Sequence, residues 1–299
     1  MREVSYNTSR SKAAYLFIAP GSAIVICLIL YPIVQTAIMS FTYWYLVMPK
    51  KGHPFVGFDN YKDFFGLTQF PQMVKVTLIY IVAGVLGKMG AGLGTALLLN
   101  RKFWGRAVVR AIMIIPWAMP TVVVCVLFMV ALDPTYGMVN AILLDLRVIS
   151  KPIPFFLKPD LALVAVIFVE IWRYFPFIAV MLLAALQGIP QELYDAASLD
   201  GAGVFRKFAR ITWPWITPVW YIVLILQLVW TVQEFELVYL ITRGGPNFGT
   251  QIIGVDVYLN AFRFFKMGTA SAEGMFLVLF SLIFAVVYFG FIQKRQETV

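Results

Sequence analysis

Apolar residues in this chain come in long uninterrupted runs, not in the alternation of a half-buried strand or the narrow stripe of a soluble helix. Six runs are long enough to cross a hydrocarbon core, which is about 30 Å thick and takes about 20 residues of helix. They cover 14–40, 76–99, 108–132, 161–186, 215–241 and 270–292. The pattern predicts an all-α polytopic membrane protein with six transmembrane helices, forming one transmembrane domain over residues 1–299. The third run contains Pro116 and Pro120, and the fifth and sixth contain Glu, so their ends are the least sharply drawn. One stretch between the fourth and fifth runs is out of character. "YDAASLDGAGVFRKFARITWP", from Tyr194 to Pro214, gathers Asp195, Asp200, Arg206, Lys207 and Arg210 around Gly201.

That segment, over about 187–214, reads as two short helices. Pro190 suits the first turn of a helix, where its missing N–H costs nothing, and Glu192 suits the positive end of the dipole. Asp200-Gly201 reads as a stop, because glycine readily takes the left-handed conformation that ends helices. A second helix follows, with Phe205, Phe208 and Ile211 or Thr212 on one stripe and Arg206, Lys207 and Arg210 on the other. Pro214 disfavours helix at Trp213 and marks the start of the fifth span. An amphipathic basic helix can simply lie on anionic lipid heads. The small residues Ala196, Ala197 and Ala202 around Gly201 instead favour close docking into a partner's cleft.

Composition narrows the class further. Hydrophobic residues make up 61% and charged residues 13%, which excludes an ordinary soluble domain. Basic residues precede the first run, as in a signal peptide, but the run continues past Pro32 without a small-residue cleavage pattern, so a retained span is expected. Cys27 and Cys125 lie inside spans without framework spacing, and His53 stands alone in a loop, so neither a disulfide nor a metal site is expected. Lys and Arg totals are similar on the two sides. Their density is higher in the short amino terminus, "RKFWGRAVVR", the 187–214 segment and the carboxyl tail, which places both termini and that segment in the cytoplasm. The expected location is therefore the cell membrane, multi-pass.

"GVLGKMGAGLGTA" in the second run is Gly-rich and contains Lys88, but it lacks the G-x-x-x-x-G-K-[ST] spacing of a phosphate loop. Small residues at Ala83, Gly87, Ala91 and Gly94 suit close helix packing in lipid instead. With no phosphate loop, ATP hydrolysis is not expected of this chain.

"ELYDAASLDGAGVFRKFARITWPWITP" resembles the cytoplasmic EAA loop of permease subunits in binding-protein-dependent ABC importers. The matching positions are Asp195-Ala196-Ala197, Gly201, Ile211 and Pro214, with Asp195 in place of the usual Glu and Trp213 in place of the usual Leu. "FVGFDNYKDFF", "RAIMIIPWAMPTVVV", "LDPTYGMVN", "EIWRYFPF" and "YLITRGGPNFGT" are similar, in the same order, to stretches of the sugar-importing branch, of maltose and glycerol-phosphate type. The resemblance implies a type I importer permease fold with a cytoplasmic coupling helix. It also implies a second related permease, a cytoplasmic ATPase dimer that binds ATP and Mg, and an external or periplasmic sugar-binding protein. No cofactor in this chain, no metal and no nucleic-acid partner are implied. Coupling falls to Asp195, Ala196, Ala197, Asp200, Gly201, Phe205 and Pro214.

Ionisable groups inside a bilayer are costly and therefore functional candidates. Glu170, Arg173 and Phe177 share one face of the fourth span, and Gln227, Thr231 and Glu234 one face of the fifth. Trp117 and Thr121, between Pro116 and Pro120, give a third polar and aromatic face. Carboxylate, amide and guanidinium groups meet sugar hydroxyls, and a ring such as Trp117, Tyr174 or Phe177 covers the apolar side of a pyranose. The resemblance assigns the translocation path to Trp117, Thr121, Arg173, Tyr174, Phe177, Gln227, Thr231 and Glu234, and Glu170 joins them by its face. Glu170 and Arg173 also suit an ion pair one turn apart. Lys88 either lines the path or pairs with a carboxylate, and Glu236 faces away. A neutral di- or oligosaccharide is the expected cargo. The alternatives are a glycerol phosphate or acidic sugar and, more distantly, an ATP-independent secondary transporter or channel.

Overall fold

The computed structural model describes residues 15, 17–48 and 52–296. Ala14, where the first run was expected to begin, and the basic stretch before it lie outside the described residues. Among the described residues there is no strand beyond two isolated bridge pairs, and every regular element is a helix. Its contacts divide into two groups, Met1–Leu67 with Val257–Val278, and Thr68–Asp256 with Leu279–Val299.

The first group contains α1 (Phe17–Ser40) and α2 (Asp59–Phe65). α1 stays continuous through Pro32 because a π-helical turn over Ile26–Leu30 precedes it, with the Tyr31 N–H donating to the Ile26 carbonyl. The widened turn relieves the clash between the proline ring and the carbonyl four residues back. Buried Asn60 closes the 41–58 loop onto the end of α1, its Nδ2 donating to the Ser40 and Thr42 carbonyls at 2.8 and 2.9 Å.

The second group holds α3 (Phe70–Asn100), α4 (Arg106–Ala118), α5 (Thr121–Ala131), α6 (Met138–Asp145) and α7 (Pro159–Gln187). α8 (Gln191–Leu199), α9 (Val204–Gln233) and α10 (Glu236–Thr242) follow. Two further helices, α11 (Ile253–Tyr258) and α12 (Met267–Gln296), complete the chain. Five described helices are long and apolar enough to span a membrane, and α4 with α5, bent by 99° at their junction, makes six where the bent pair is counted as one span.

Three expectations change. The third span, expected as one helix over 108–132, is broken at Met119 and Pro120. Met119 is extended, at φ −74° and ψ 140°, the conformation a following proline favours. The fifth span does not begin at Pro214. Val204–Gln233 is one helix, with a π-helical turn over Phe208–Thr212 that accommodates Pro214 as the turn in α1 accommodates Pro32. Nor does it continue to 241, since Glu234 is extended and a separate helix starts at Glu236.

α3 and α7 pack through glycine. A Cβ at Gly84 would meet the Glu170 carboxylate, one at Gly87 would run into Ile171, and one at Gly92 would lie 2.5 Å from Ile178 Cγ2. The close face is therefore Gly84, Gly87 and Gly92, not the expected row that ends at Gly94, where nothing lies within 4 Å. Gly92→Ala is expected to destabilise the protein by about 1–3 kcal/mol through overpacking. Gly94→Ala is expected to have no such effect. Thermal unfolding of the two variants in detergent tests the difference.

Candidate functional site

At the centre of the second group, α3, α7 and α9 meet around a lysine. Lys88 and Glu170 are each 1% exposed, and Lys88 Nζ lies 2.6 Å from Glu170 Oε1. The same Nζ donates to Thr231 Oγ1 at 2.6 Å, and Thr231 in turn donates to the Gln227 carbonyl at 2.6 Å. Two charges removed from water are tolerated only when paired and hydrogen-bonded, and Lys88 provides both. Glu170 thus pairs with Lys88 across two helices and not with Arg173 along its own. Gln227 is fully buried, and neither atom of its amide has a hydrogen-bond partner.

A second layer starts at Tyr174, whose ring stands 5.4 Å from Lys88 Nζ and 4.9 Å from the Arg173 guanidinium. The Tyr174 hydroxyl donates to Glu234 Oε2 at 3.0 Å, and Glu234 Oε1 accepts the Leu237 N–H at 3.1 Å. Glu234 therefore ties α7 to the first turn of α10, across the end of α9. Arg173 Nε and Nη1 have no hydrogen-bond partner.

The third layer is aromatic. Phe177 sits between Trp117 and Trp230, with ring centroids at 5.6 and 5.2 Å, and both tryptophans keep an exposed face. Thr121 is buried in the first turn of α5, beside the helix break.

The 187–214 segment is held together by a helix cap and two side-chain hydrogen bonds. α8 ends in a paired-bond cap: Gly201, at φ +73°, donates its N–H to the Ser198 carbonyl, and Ala202 donates to Ala197. Tyr194 and Thr212 share a hydroxyl hydrogen bond of 2.8 Å, and Lys207 Nζ donates to Ser198 Oγ at 2.6 Å, so α8 is strapped to α9 at two points. Asp195 is exposed and accepts from Gln191 at 3.2 Å, Ala196 and Asp200 are exposed, and Ala197 is half-buried. Leu199 and Phe205 are each 91% exposed, an apolar pair on a charged segment. Pro214 is exposed within α9.

The structure thus gathers Glu170 and Thr231 around Lys88, with Gln227 buried one turn away. It joins Arg173, Tyr174 and Glu234 in one layer and Trp117 with Phe177 in another. Sequence reasoning left Lys88 undecided and passed over Trp230. The latter had a signal, since Trp230 lies one turn from Gln227 on the same helix.

Residues 88–297 match the family described as binding-protein-dependent transport system inner membrane component. The chain is 34% identical over 290 residues to the trehalose/maltose transport system permease protein MalF of Thermococcus litoralis, covering 96% of each. It is 32% identical to the sulfoquinovosyl glycerol transport system permease protein SmoG of Agrobacterium fabrum, covering 95% of this chain and 91% of that one. A chain of a bacterial ABC transporter involved in import of the acidic polysaccharide alginate superposes with a TM-score of 0.84 at 23% identity, over 98% of this chain and 99% of that one. The fold is the type I ABC importer permease fold expected from the sequence.

Lys88→Met alone leaves Glu170 as a buried, uncompensated charge and is expected to cost about 3–5 kcal/mol. Lys88→Met with Glu170→Met is expected to recover most of that loss. Chemical denaturation of the single and double variants in detergent checks both.

Proposed function

Because the chain belongs to the family of binding-protein-dependent transport system inner membrane components, we propose that it moves a carbohydrate, a neutral di- or oligosaccharide, from an external binding protein into the cytoplasm as the permease subunit of an ATP-driven importer. The observation that carries this reading is mechanical. A largely exposed helix, α8, is capped at Gly201 and strapped through half-buried Tyr194 to a helix that runs unbroken from Val204 to Gln233. Closure of a cytoplasmic ATPase dimer around α8 would therefore move the inner end of α9 and, through it, the layers around Thr231 and Glu234.

In this reading the path is walled by Trp117, Arg173, Tyr174, Phe177 and Glu234, with Trp230 added. Thr121, Glu170, Gln227 and Thr231 support it from behind, because this chain buries all four. The rings stack on a pyranose face while Arg173 donates and Glu234 accepts at its hydroxyls. ATP and Mg belong to the ATPase subunits, and this chain performs no catalysis. Both termini and α8 face the cytoplasm, and a second, related permease completes the path. The names of two relatives, transport systems for trehalose and maltose and for sulfoquinovosyl glycerol, support a carbohydrate cargo. An acidic sugar is the second reading, favoured by the positive charge of Arg173, whose buried Nε and Nη1 have no hydrogen-bond partner. Nothing in the family match favours an ATP-independent transporter or channel.

Coupling between the two ends must be reciprocal: a loaded binding protein that favours the outward-open state also favours ATPase closure. The test is ATPase activity of the assembled complex in nanodiscs, with its binding protein and a panel of neutral oligosaccharides, glycerol phosphodiesters and uronates. One class is expected to stimulate hydrolysis. Gly201→Asp, which puts a side chain on a left-handed residue, is expected to cut that stimulation about 10-fold or more while the subunits still assemble. Purification of the chain without any ATPase partner would overturn the reading.

A further inference from the structure

We propose that Lys88 is a positioning residue of the transport path: from α3 it holds Thr231 and the Tyr174 ring in place, and through Tyr174 and Glu234 it sets α10 relative to α9. The inference rests on the importer reading for its functional meaning and on geometry for its substance.

Three observations carry it. The first is that Lys88 makes more contacts than a counter-ion needs. Its ammonium meets Glu170 on α7 and Thr231 on α9, each at 2.6 Å, and stands 5.4 Å from the Tyr174 ring. An ammonium near an aromatic face is attracted to it, the more so when water is excluded. A single buried group thereby fixes the last turn of α9 and the orientation of one tyrosine.

The second is where these contacts lead. α9 ends at Gln233, two residues past Thr231, and Glu234 is extended. No backbone helix bond carries the axis of α9 into α10. Glu234 spans the gap with its carboxylate, one oxygen on the Tyr174 hydroxyl and the other on the Leu237 N–H. The side-chain connection from α3 to α10 therefore runs through Lys88, Tyr174 and Glu234 without interruption.

The third is that packing does not require the charge. α3 and α7 already meet through Gly84, Gly87 and Gly92, where small residues permit close backbone approach. A lysine in that interface adds direction, not adhesion, because a buried ion pair can often be replaced by apolar side chains without loss of stability.

If the role is positioning, removing the charges together should leave the fold intact and loosen α10. The experiment is pulsed EPR on the permease assembled with its partner permease and ATPase dimer in nanodiscs. Spin labels are placed at Arg210→Cys and Glu236→Cys, two exposed positions on α9 and α10, in a Cys27→Ser/Cys125→Ser background. The distance is read without nucleotide and after trapping with ADP and vanadate. The otherwise unaltered protein is expected to give one narrow distribution in each state. Lys88→Met with Glu170→Met is expected to shift or broaden it by about 2 Å or more, the scale of helix shifts at packed interfaces. Tyr174→Phe, which leaves the ion pair in place and cuts the same connection further along, is expected to do likewise. A double variant that unfolds like the unaltered protein and keeps its narrow distribution overturns the proposal. Failure of the importer reading would appear separately, as a chain that recruits no ATPase. The nucleotide-free distances would then still decide the role of Lys88.

Discussion

A charge inside a bilayer must meet its opposite, and in this protein that requirement organises the helices around it. Lys88 and Glu170 are both 1% exposed, at a depth where an unpaired ion is excluded by its hydration energy. Bringing α3 close enough to α7 for a 2.6 Å contact needs a surface without side chains, and Gly84 supplies it directly under the Glu170 carboxylate. A second donor of the ammonium needs an acceptor, and Thr231 on α9 supplies that. Glycine on one helix, a carboxylate on the second and a hydroxyl on the third thus meet around one buried lysine.

Pro116, Pro176 and Pro218 lie inside α4, α7 and α9 without breaking them, whereas three other prolines mark where a helix ends or widens. Pro120 stops a helix outright, because the residue before it turns extended and no wider turn intervenes. Pro32 and Pro214 do not, because each follows a π-helical turn that has already shifted the hydrogen bonding by one residue. The difference has a mechanical result. The break at Pro120 leaves Trp117 near the end of α4, its ring 5.6 Å from that of Phe177, and Thr121 at the start of α5. The continuity at Pro214 makes α9 a single helix from Val204 to Gln233.

Much of this was legible in the sequence, and the parts that were not share a cause. Run lengths gave the spans, and Asp200-Gly201 gave the end of α8, because both depend on residues near one another in the chain. The partner of Glu170 lies 82 residues away and that of Thr231 143 residues away, and periodicity along one helix says nothing of which face another helix presents. A spacing of three made Arg173 the natural partner for Glu170, and interhelical contact overrode it. The small-residue row at Ala83, Gly87, Ala91 and Gly94 had the right period but drifted off the true contact, which follows Gly84, Gly87 and Gly92. Pro214 was misplaced for another reason: a proline forbids one hydrogen bond, not a helix, and the π turn that compensates has no composition of its own.

The charges that remain after pairing decide what the path can recognise. Lys88 and Glu170 cancel each other. On the proposed path this leaves Arg173 and Glu234 on either side of Tyr174, one cation and one anion, with the anion held by a tyrosine hydroxyl and a backbone N–H. Such a wall carries no net charge but offers donors at one end and acceptors at the other, beside three aromatic rings at 5.2 to 5.6 Å spacing. A simple anion would find one attractive and one repulsive partner there, and an apolar molecule would leave both unsatisfied. A ring bearing hydroxyls along its edge and C–H groups on its face satisfies the guanidinium, the carboxylate and the aromatic surface together. Given the path residues that the family resemblance assigns, the electrostatic balance of the proposed path therefore also argues for a carbohydrate. It also gives the acidic alternative a physical condition: Glu234 would have to stay engaged by Tyr174 and Leu237 while Arg173 alone met the substrate's charge.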